Sequence, residues 1–579
     1  MPNACLMNPP APWRRAMAAC ALLLLCAAGV RAADPPLPAA VADALRQAGL
    51  PADALAAVVM PVARSGGGRA GGWAGRWAGG WADGWADGWT KRSGLHWQAQ
   101  PDRPMQPGST LKLLTVAVAL DRLGPNVSGF TELLTRAPQQ GDVLAGDLVL
   151  RGGADPELGL PQLWALLAEL RHGQGIREIA GDIVLDRHLF RPARPDLGAA
   201  PFDETPQAGY NVIPDALNLG GSLVALALSS QDPAYPGGVS ARFVPPLPDV
   251  EIDTRALRLT DRPCRDWPAD WTPPPPADEP VPGTLRLRLQ GGFPTGCEVR
   301  TWLQLIDRNL LAERQLRSLW HSLGGRWTGR VREAEAPLIA PVDPAATASV
   351  VPVVAVPGTA HTPLVPARPG ANTLVPGVAW AGSSPATPPG VRLLARHVEP
   401  PLGEVLRRMI KPSDPPLTRL LYLQLGLAGM AAEPGADTSV LAEREVRRWL
   451  AGHAIDTTGL VLDNGSGLSR SERITPRQLA QVLQAAHAGR WSPELLMSLP
   501  VVGVDGTMRQ RLKTGPAAGL ARMKTGTLRN VAALAGFVDD PQGQRHVLVA
   551  IINHEQARAG RPALDALVDW VARGGVDGR

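Results

Sequence analysis

The pattern of hydrophobic and polar positions first marks out the middle of the chain. Short apolar runs closed by Gly and Asp recur between residues 134 and 335, for example over 146–150 and 181–186. Such runs are typical of short strands bounded by turns. We therefore expect residues 134–335 to be β-rich.

The last part of the chain combines helical and strand patterns. From residue 391 to 425 the spacing of apolar positions is helical. Two apolar strand runs, 531–538 and 546–552, are separated by an Asp-Asp-Pro-Gln-Gly turn, which predicts a β-hairpin. Residues 562–573 predict a final helix.

Two stretches show no sustained period and predict irregular structure. Residues 64–92 are rich in Gly and carry Trp at every fourth position, at Trp73, Trp77, Trp81, Trp85 and Trp89. Each interleaved Gly costs about 1 kcal/mol inside a helix, so we expect an expanded loop, either a simple repeat expansion or a surface on which sugars stack. Residues 336–390, dominated by Pro, Ala, Val and Thr, predict a linker or surface insertion.

Length and charge indicate the number of domains and exclude one class of partner. The 579 residues are 45% hydrophobic and 19% charged, which indicates two or three globular units. The 58 basic and 53 acidic residues leave a formal charge of only +5, and no dense basic run occurs. Nucleic acid is therefore not expected as a partner.

The N-terminus has the pattern of a secretory signal. Two arginines precede the uncharged, Ala- and Leu-rich residues 16–30, and small residues flank Arg31. A membrane anchor is the alternative, but roughly 15 apolar residues are short for a bilayer span of about 20. We expect cleavage after Ala32, which removes residues 1–32 and leaves a periplasmic chain without a stable membrane anchor.

Only two cysteines, Cys264 and Cys297, remain after that cleavage. In an oxidising compartment they predict one disulfide, with a pair of free buried thiols as the alternative. Two cysteines cannot form a structural zinc site, so no metal is expected.

One of the few lysines lies three residues after a serine at a predicted helix start. Only five of the 58 basic residues are Lys, which directs attention to these amines as candidate bases. Ser109 and Lys112 open an apolar helix that runs to Leu123, and at this spacing their side chains come within hydrogen-bonding reach. A neutral Lys112 can then take the Ser109 proton as the hydroxyl attacks a carbonyl. The alternative is a capping Ser beside a solvated Lys.

A second motif opens a late strand. Lys524-Thr525-Gly526-Thr527 leads into the apolar run at 531, and Gly526 leaves room for a substrate to approach as an added strand. Lys513-Thr514-Gly515 repeats the tripeptide, but Pro516 and small residues follow it and indicate a loop.

Together, SxxK and a distal KTG are the signature of penicillin-recognising serine acyltransferases, whose third motif is SxN. On these motifs the chain resembles the DacB-type D-alanyl-D-alanine carboxypeptidases, low-molecular-mass penicillin-binding proteins that also act as endopeptidases. Similar segments extend the resemblance over residues 146–156, 181–190, 210–216, 463–470 and 503–507.

This resemblance implies an α+β fold. A penicillin-binding, transpeptidase-like domain with an antiparallel sheet flanked by helices would be formed by residues 33–133 and 391–579, with β-rich domains over 134–335 inserted into it. Class A β-lactamases share the three motifs in a much shorter chain and fit poorly, because Ser413 lies beyond the whole β-rich region.

The third motif departs from the family pattern. It reads Ser413-Asp414-Pro415, with Pro in place of Asn. The carboxamide of Asn would orient the substrate amide and the lysine, whereas Pro offers no such group. The loss of one polar contact to the transition state can cost on the order of 10²-fold in rate. Either turnover is reduced, or a shifted loop lets another side chain take the role.

The resemblance also implies roles for the site residues, without a cofactor. Ser109 would attack the penultimate D-Ala carbonyl of peptidoglycan stem peptides and cross-links, with Lys112 as base. Ser413 and Lys524 would return the proton to the departing D-Ala. The KTG motif, Lys524 to Thr527 with Gly526, would bind the terminal carboxylate, and the N–H groups of Ser109 and Thr527 would form the oxyanion hole. β-Lactams would be covalent inhibitors.

Three further alternatives stay open. By resemblance Arg470 would line the stem-peptide groove, and a structural Arg at a Gly-rich turn is the other interpretation. The chain as a whole could be a weakly active or inactive homologue that binds peptidoglycan, because of Pro415. A serine esterase or β-lactamase on the same scaffold is the third.

Overall fold

A computed structural model describes residues 35–62, 97–338 apart from 273, 276 and 282, and 389–577. The predicted signal over 1–32, the Trp-rich loop over 64–92 and most of the stretch 336–390 lie outside these described residues.

Ten α-helices occur within the described residues, and none of them is long and apolar enough to cross a bilayer. They are α1 (Ala39–Gln47), α2 (Lys112–Arg122), α3 (Leu160–Ala168), α4 (Arg308–Ser322), α5 (Leu402–Ile410), α6 (Pro415–Met430), α7 (Thr438–Gly452), α8 (Pro476–Ala488), α9 (Ser492–Ser498) and α10 (Arg561–Ala572).

Most of the strands lie in the middle region. They are β1 (Leu55–Pro61), β2 (Trp97–Ala99), β3 (Phe130–Thr135), β4 (Gln139–Gln140), β5 (Val143–Leu144), β6 (Leu148–Gly153), β7 (Glu178–Ile179), β8 (Ile183–Asp186), β9 (Val224–Ser229), β10 (Ser240–Phe243), β11 (Val250–Thr260), β12 (Trp271–Thr272), β13 (Asp278–Val281), β14 (Thr284–Pro294), β15 (Glu298–Leu303), β16 (Arg326–Trp327), β17 (Val331–Glu333), β18 (Arg392–Val398), β19 (Arg522–Leu528), β20 (Val531–Asp539) and β21 (Arg545–Asn553).

One antiparallel sheet, in the order β19-β20-β21-β1-β2, joins the two ends of the chain. Its central strands β20, β21 and β1 are apolar except for polar residues at the ends of β20 and β21, because helices cover both faces. Ala533, Ala535 and Phe537 belong to the core that also holds the apolar residues of α2 and α8, while α10 packs against β20 and α1. The hairpin predicted around residues 539–543 is present as β20 and β21, and the predicted final helix is α10.

Four further sheets are formed by strands of the middle region together with β18, in the orders β17-β8-β6-β3-β18, β16-β7-β5-β4, β10-β9-β15 and β11-β14-β12 with β13 on β14. The fold class is therefore α+β as expected, with β-rich parts inserted between the two halves of the helix-flanked sheet. The Cys264–Cys297 disulfide is formed, with the two Cα atoms 5.2 Å apart. The alternative of two free thiols is wrong.

One predicted helical stretch is a strand at its start. The pattern from residue 391 predicts a helix, but Arg392–Val398 forms β18 and pairs with β3, beyond the predicted end of the insertion at 390. The pairing register shifts between Leu393 and Ala395, a bulge that interrupts the alternation by which a strand is recognised. The helices begin only at Leu402.

A reciprocal pair of hydrogen bonds closes the point where the chain leaves the helix-flanked sheet and returns to it. Glu399 N donates to Gly129 O at 3.1 Å, and Gly129 N donates to the Glu399 carboxylate at 2.6 Å. The second carboxylate of this cluster, Asp155, accepts from Thr131 and pairs with His397 at 2.8 Å. Burial, together with the negative charge of Asp155, raises the pKa of Glu399 to about 8.

This cluster predicts a pH-dependent contribution of Glu399 to stability. Because its pKa rises from 4.5 to about 8 on folding, the contribution is fully present below pH 4.5 and is lost as the pH rises through the folded value. We expect Glu399→Gln to gain thermal stability relative to the unsubstituted chain between these pH values, by on the order of a few degrees. Melting curves between acidic and alkaline pH measure this, with Glu404→Gln on the exposed face of α5 as control. A stability difference that does not change with pH would contradict the assignment.

Candidate active site

The predicted Ser109–Lys112 pair is formed at the start of α2. Gly108–Leu111 is a 3-10 turn that leads directly into the helix, so Ser109 precedes the first α-helical turn instead of lying within it. The Lys112 amine is fully buried and donates to Ser109 Oγ at 3.1 Å and to the carbonyl of Ser466. The alternative of a solvated lysine is therefore wrong.

Burial sets the protonation of Lys112. Desolvation lowers its pKa to about 7 although the carboxylates of Glu472 and Asp414 act in the opposite direction, and the nearby Arg419 lowers it further. Glu472 is itself fully buried, and desolvation raises its pKa to about 7. Near neutral pH a large fraction of Lys112 is therefore neutral and able to accept a proton.

A second serine–lysine pair faces the first. Lys524, also fully buried, donates to Ser413 Oγ at 2.7 Å. Burial lowers the pKa of Lys524 far below its ordinary value, and the charge of Lys112 lowers it further. Ser413 has a φ of 72°, a left-handed conformation that a non-glycine residue adopts only when its surroundings hold it there.

Pro415, which replaces the Asn of the family pattern, lies at the start of a helix. Asp414 is the N-cap of α6 and accepts from Leu417 N at 2.9 Å, and Pro415 is the first helical residue. Proline is favoured at this position because its fixed φ is already helical and the missing N–H has no intrahelical acceptor. Pro415 therefore suits the helix start, and the motif has no carboxamide at this position.

The KTG strand lies beside the serine turn. Within the described residues β19 is an edge strand of its sheet and pairs with β20. A Cβ on Gly526 would lie 2.5 Å from the carbonyl oxygen of Pro107, and one on Gly467 would overlap the carbonyl of Gly108. Only glycine permits these backbone approaches, which bring Ser109 against the strand. The second copy, Lys513-Thr514-Gly515, lies in a loop as predicted.

A loop for which the sequence predicts no role connects the Ser413 motif to the KTG strand. Thr507 N donates to Lys411 O at 3.0 Å, and Thr507 Oγ1 lies 2.8 Å from Thr525 Oγ1. The Lys411 amine pairs with Asp505 and donates to the carbonyl of Leu499. Lys411 is one of only five lysines, and that scarcity was the available signal for its role in holding Ser413 next to β19.

Arg470 lies against the inserted region. Its guanidinium stacks over the ring of Phe202, with 5.6 Å between the guanidinium carbon and the ring centroid. Nearby, a cavity of about 520 Å³ lies between the inserted region and the C-terminal part of the chain. Phe202, Arg419, Asn464 and Ser469 are among the residues that line it. Within the described residues no group of three or more His, Cys, Asp or Glu side chains is arranged to hold a metal ion.

Comparison with known proteins gives a family match over most of the chain. The model of the D-Ala-D-Ala carboxypeptidase 3 (S13) family matches residues 90–354 and 375–574. The D-alanyl-D-alanine carboxypeptidase of Actinomadura sp. strain R39 is 28% identical over 80% of this chain and 76% of its own. D-alanyl-D-alanine carboxypeptidase DacB of Haemophilus influenzae is 26% identical over 78% of this chain and 80% of its own.

A solved structure has the same fold. Penicillin binding protein 4 (dacB) of Haemophilus influenzae superposes with a TM-score of 0.65 at 21% identity, covering 91% of this chain and 98% of its own. A second structure of that protein, complexed with a β-lactam, gives a TM-score of 0.61 at 20% identity and covers the same shares of both chains.

The depressed pKa values can be measured directly, because the chain has only five lysines. In protein labelled with carbon-13 at lysine Cε, we expect one resonance to titrate near pH 7 and to vanish in Lys112→Met. A second resonance with a depressed midpoint should vanish in Lys524→Met. Lys513→Met, on an exposed loop, is the control and should leave both midpoints in place. If every lysine titrates above about pH 9, the buried-amine assignment is wrong.

Proposed function

The chain belongs to the D-Ala-D-Ala carboxypeptidase 3 (S13) family, and from this premise we propose that it is a serine-type hydrolase that cleaves the D-alanyl-D-alanine ends of peptidoglycan stem peptides and the cross-links between them. The observation that carries the proposal is the meeting of two serine–lysine pairs, Ser109 with Lys112 and Ser413 with Lys524, beside the edge strand β19.

Acylation uses the first pair. Neutral Lys112 takes the proton of Ser109, whose Oγ forms a bond to the carbonyl carbon of the penultimate D-Ala. The backbone N–H groups of Ser109 and Thr527 stabilise the oxyanion that forms. Support for this step comes from the 3.1 Å hydrogen bond, the pKa of Lys112 of about 7, and the close approach of β19 to the serine turn at Gly526.

Release of the leaving group uses the second pair. As the C–N bond breaks, the Ser413 hydroxyl gives its proton to the departing amine. The proton that Lys112 took from Ser109 replaces it by way of the neutral amine of Lys524, which is hydrogen-bonded to Ser413, so that both lysines end the step neutral. The terminal carboxylate is held by the Thr525 and Thr527 hydroxyls of the edge strand. Water then hydrolyses the ester on Ser109 and restores the free enzyme.

The same steps account for covalent inhibition by β-lactams. The ring amide of a β-lactam is a carbonyl that Ser109 can open, and the ring nitrogen stays attached, which retards hydrolysis. The related Haemophilus influenzae protein is known in complex with a β-lactam. We propose that this chain acts in the periplasm, the compartment that contains peptidoglycan, after removal of residues 1–32.

Pro415 favours a second candidate, a peptidoglycan-binding homologue with little turnover. The helix start at Pro415 leaves no carboxamide at the position where the family pattern has Asn, so one polar contact to the transition state is lost. In this case the groove still binds stem peptides, but Ser109 is acylated slowly.

Fluorescent-penicillin labelling of the chain that begins at Ala33 tests the nucleophile. We expect a covalent band that disappears in Ser109→Ala, and D-Ala release from a D-alanyl-D-alanine peptide to fall on the order of 10³-fold or more in that variant. The labelling rate should rise with pH through about 7, because only neutral Lys112 accepts the proton. A band that persists in Ser109→Ala would refute the assignment.

Pro415 is tested by restoring the family residue. We expect Pro415→Asn to raise the labelling rate on the order of 10- to 100-fold, because a carboxamide again contacts the transition state. Pro416→Asn, at the next helical position, is a matched control that should change the rate less than about two-fold. Labelling of Pro415→Asn without labelling of the native chain would leave only the binding role. Equal rates in the two would show that Pro415 does not limit acylation.

A further inference from the structure

A buried carboxylate that takes no part in the steps above lies behind the catalytic lysine. Glu472 is fully buried in the loop before α8. Its Oε1 accepts from three successive backbone N–H groups, at 3.4, 3.1 and 2.9 Å, in Asp463, Asn464 and Gly465. Among the described residues no hydrogen-bond donor reaches its second oxygen, Oε2. The three N–H groups fix the position of the carboxylate but compensate its charge only in part.

The backbone next to Glu472 is anchored to other segments. Arg473 and Val461 exchange two backbone hydrogen bonds of 3.0 Å, and Ile474 and Met105 exchange two more of the same length. Met105 lies four residues before Ser109. Glu472 therefore has a fixed position relative to the segment that leads into the serine turn.

The turn over residues 463–466 connects this carboxylate to the base. Ser466 N donates to Asn464 Oδ1 at 3.1 Å, and the Ser466 carbonyl accepts from the Lys112 amine. The next residue, Gly467, touches the backbone of Gly108 in the serine turn. A shift of the 463–466 turn would thus move both the acceptor of the Lys112 amine and a contact of the serine turn.

Glu472 is also the strongest of the charges that act on Lys112. Desolvation lowers the pKa of Lys112 to about 7, and the Glu472 carboxylate opposes this shift more than Asp414 does. Since Glu472 is fully buried, little solvent screens its charge from the amine. The other charged or titratable groups around this pair are Arg419, Tyr422, Asp463 and Lys524.

We propose that Glu472 is a positioning residue for acylation, which holds the Ser466 carbonyl against the Lys112 amine and whose negative charge stabilises the ammonium that forms when Lys112 takes the proton of Ser109. The proton passes from Ser109 Oγ to Lys112 Nζ, and Glu472 neither gains nor loses one. The new ammonium in turn favours the ionised form of the carboxylate. This inference rests on the proposed function and adds to it a residue that lies outside the three motifs.

The first test follows the Lys112 amine and does not depend on turnover. In protein labelled with carbon-13 at lysine Cε, the resonance that vanishes in Lys112→Met reports this amine. We expect Glu472→Gln, which keeps an oxygen for the N–H groups but has no charge, to lower its titration midpoint by about one pH unit. Glu472→Asp keeps the charge and should shift the midpoint less than half as far. Glu404→Gln, on the exposed face of α5, is the control and should leave it in place.

The second test follows acylation by fluorescent penicillin. In Glu472→Gln we expect the rising limb of the labelling rate to move to lower pH together with the midpoint, and the plateau rate to fall on the order of ten-fold, because the amine is a weaker base and its ammonium is less stabilised. In Glu472→Asp the shorter side chain no longer holds the turn. Its plateau rate should fall on the order of ten-fold or more, with the limb near its original pH.

The proposal is overturned if the Lys112 midpoint does not fall in Glu472→Gln, whether or not the melting temperature changes, because a merely structural role would leave the midpoint in place. If Glu472→Gln does not fold, Glu472→Asp decides, and a plateau rate equal to that of the native chain refutes the positioning role. A midpoint that falls in a chain that penicillin does not label would sustain the action of Glu472 on Lys112 and refute turnover. Labelling with an unmoved midpoint would do the reverse.

Discussion

The burial of two amines beside one edge strand is the constraint on which the rest of the site depends. Lys112 and Lys524 are both fully buried, and desolvation lowers the pKa of each. An ammonium group in such a place is costly because it loses most of its hydration. Packing from several elements surrounds these side chains, and for Lys112 the resulting burial lowers the pKa to about 7, so that its amine can accept a proton near neutral pH.

The backbone around these amines is packed as closely as the side chains. Glycine at 467 and 526 lets the loop before α8, the serine turn and β19 touch through their main chains. The 503–508 loop then joins the Ser413 segment to Thr525 through Thr507, and the pair of Lys411 with Asp505 fixes that loop. Each of the three motifs is thus held by contacts from a segment far away in the sequence, which explains how Ser413 is kept at a positive φ.

At Pro415 the requirements of the helix start differ from those of the active site. As the first residue of α6 it satisfies the helix start better than Asn, since its φ is preset and no N–H is left over. The family pattern, in contrast, has Asn at this position, and proline lacks its carboxamide. A substitution that suits its own helix can therefore weaken a step carried out by residues of other elements.

The sequence alone was sufficient for the parts that depend on local pattern or on a specific ordered set of motifs. The hairpin of β20 and β21, the strand at Lys524 and the loop at Lys513 follow from apolar runs and turn residues. The α+β class follows from the family resemblance that the ordered motifs carry. The sequence did not predict β18, because pairing with β3 and a bulge override its helical pattern. Nor could it predict the pKa values of the lysines, the joining role of Thr507 or the effect of Glu472 on Lys112. These depend on burial and on distances between residues remote in the chain, which only the tertiary structure decides.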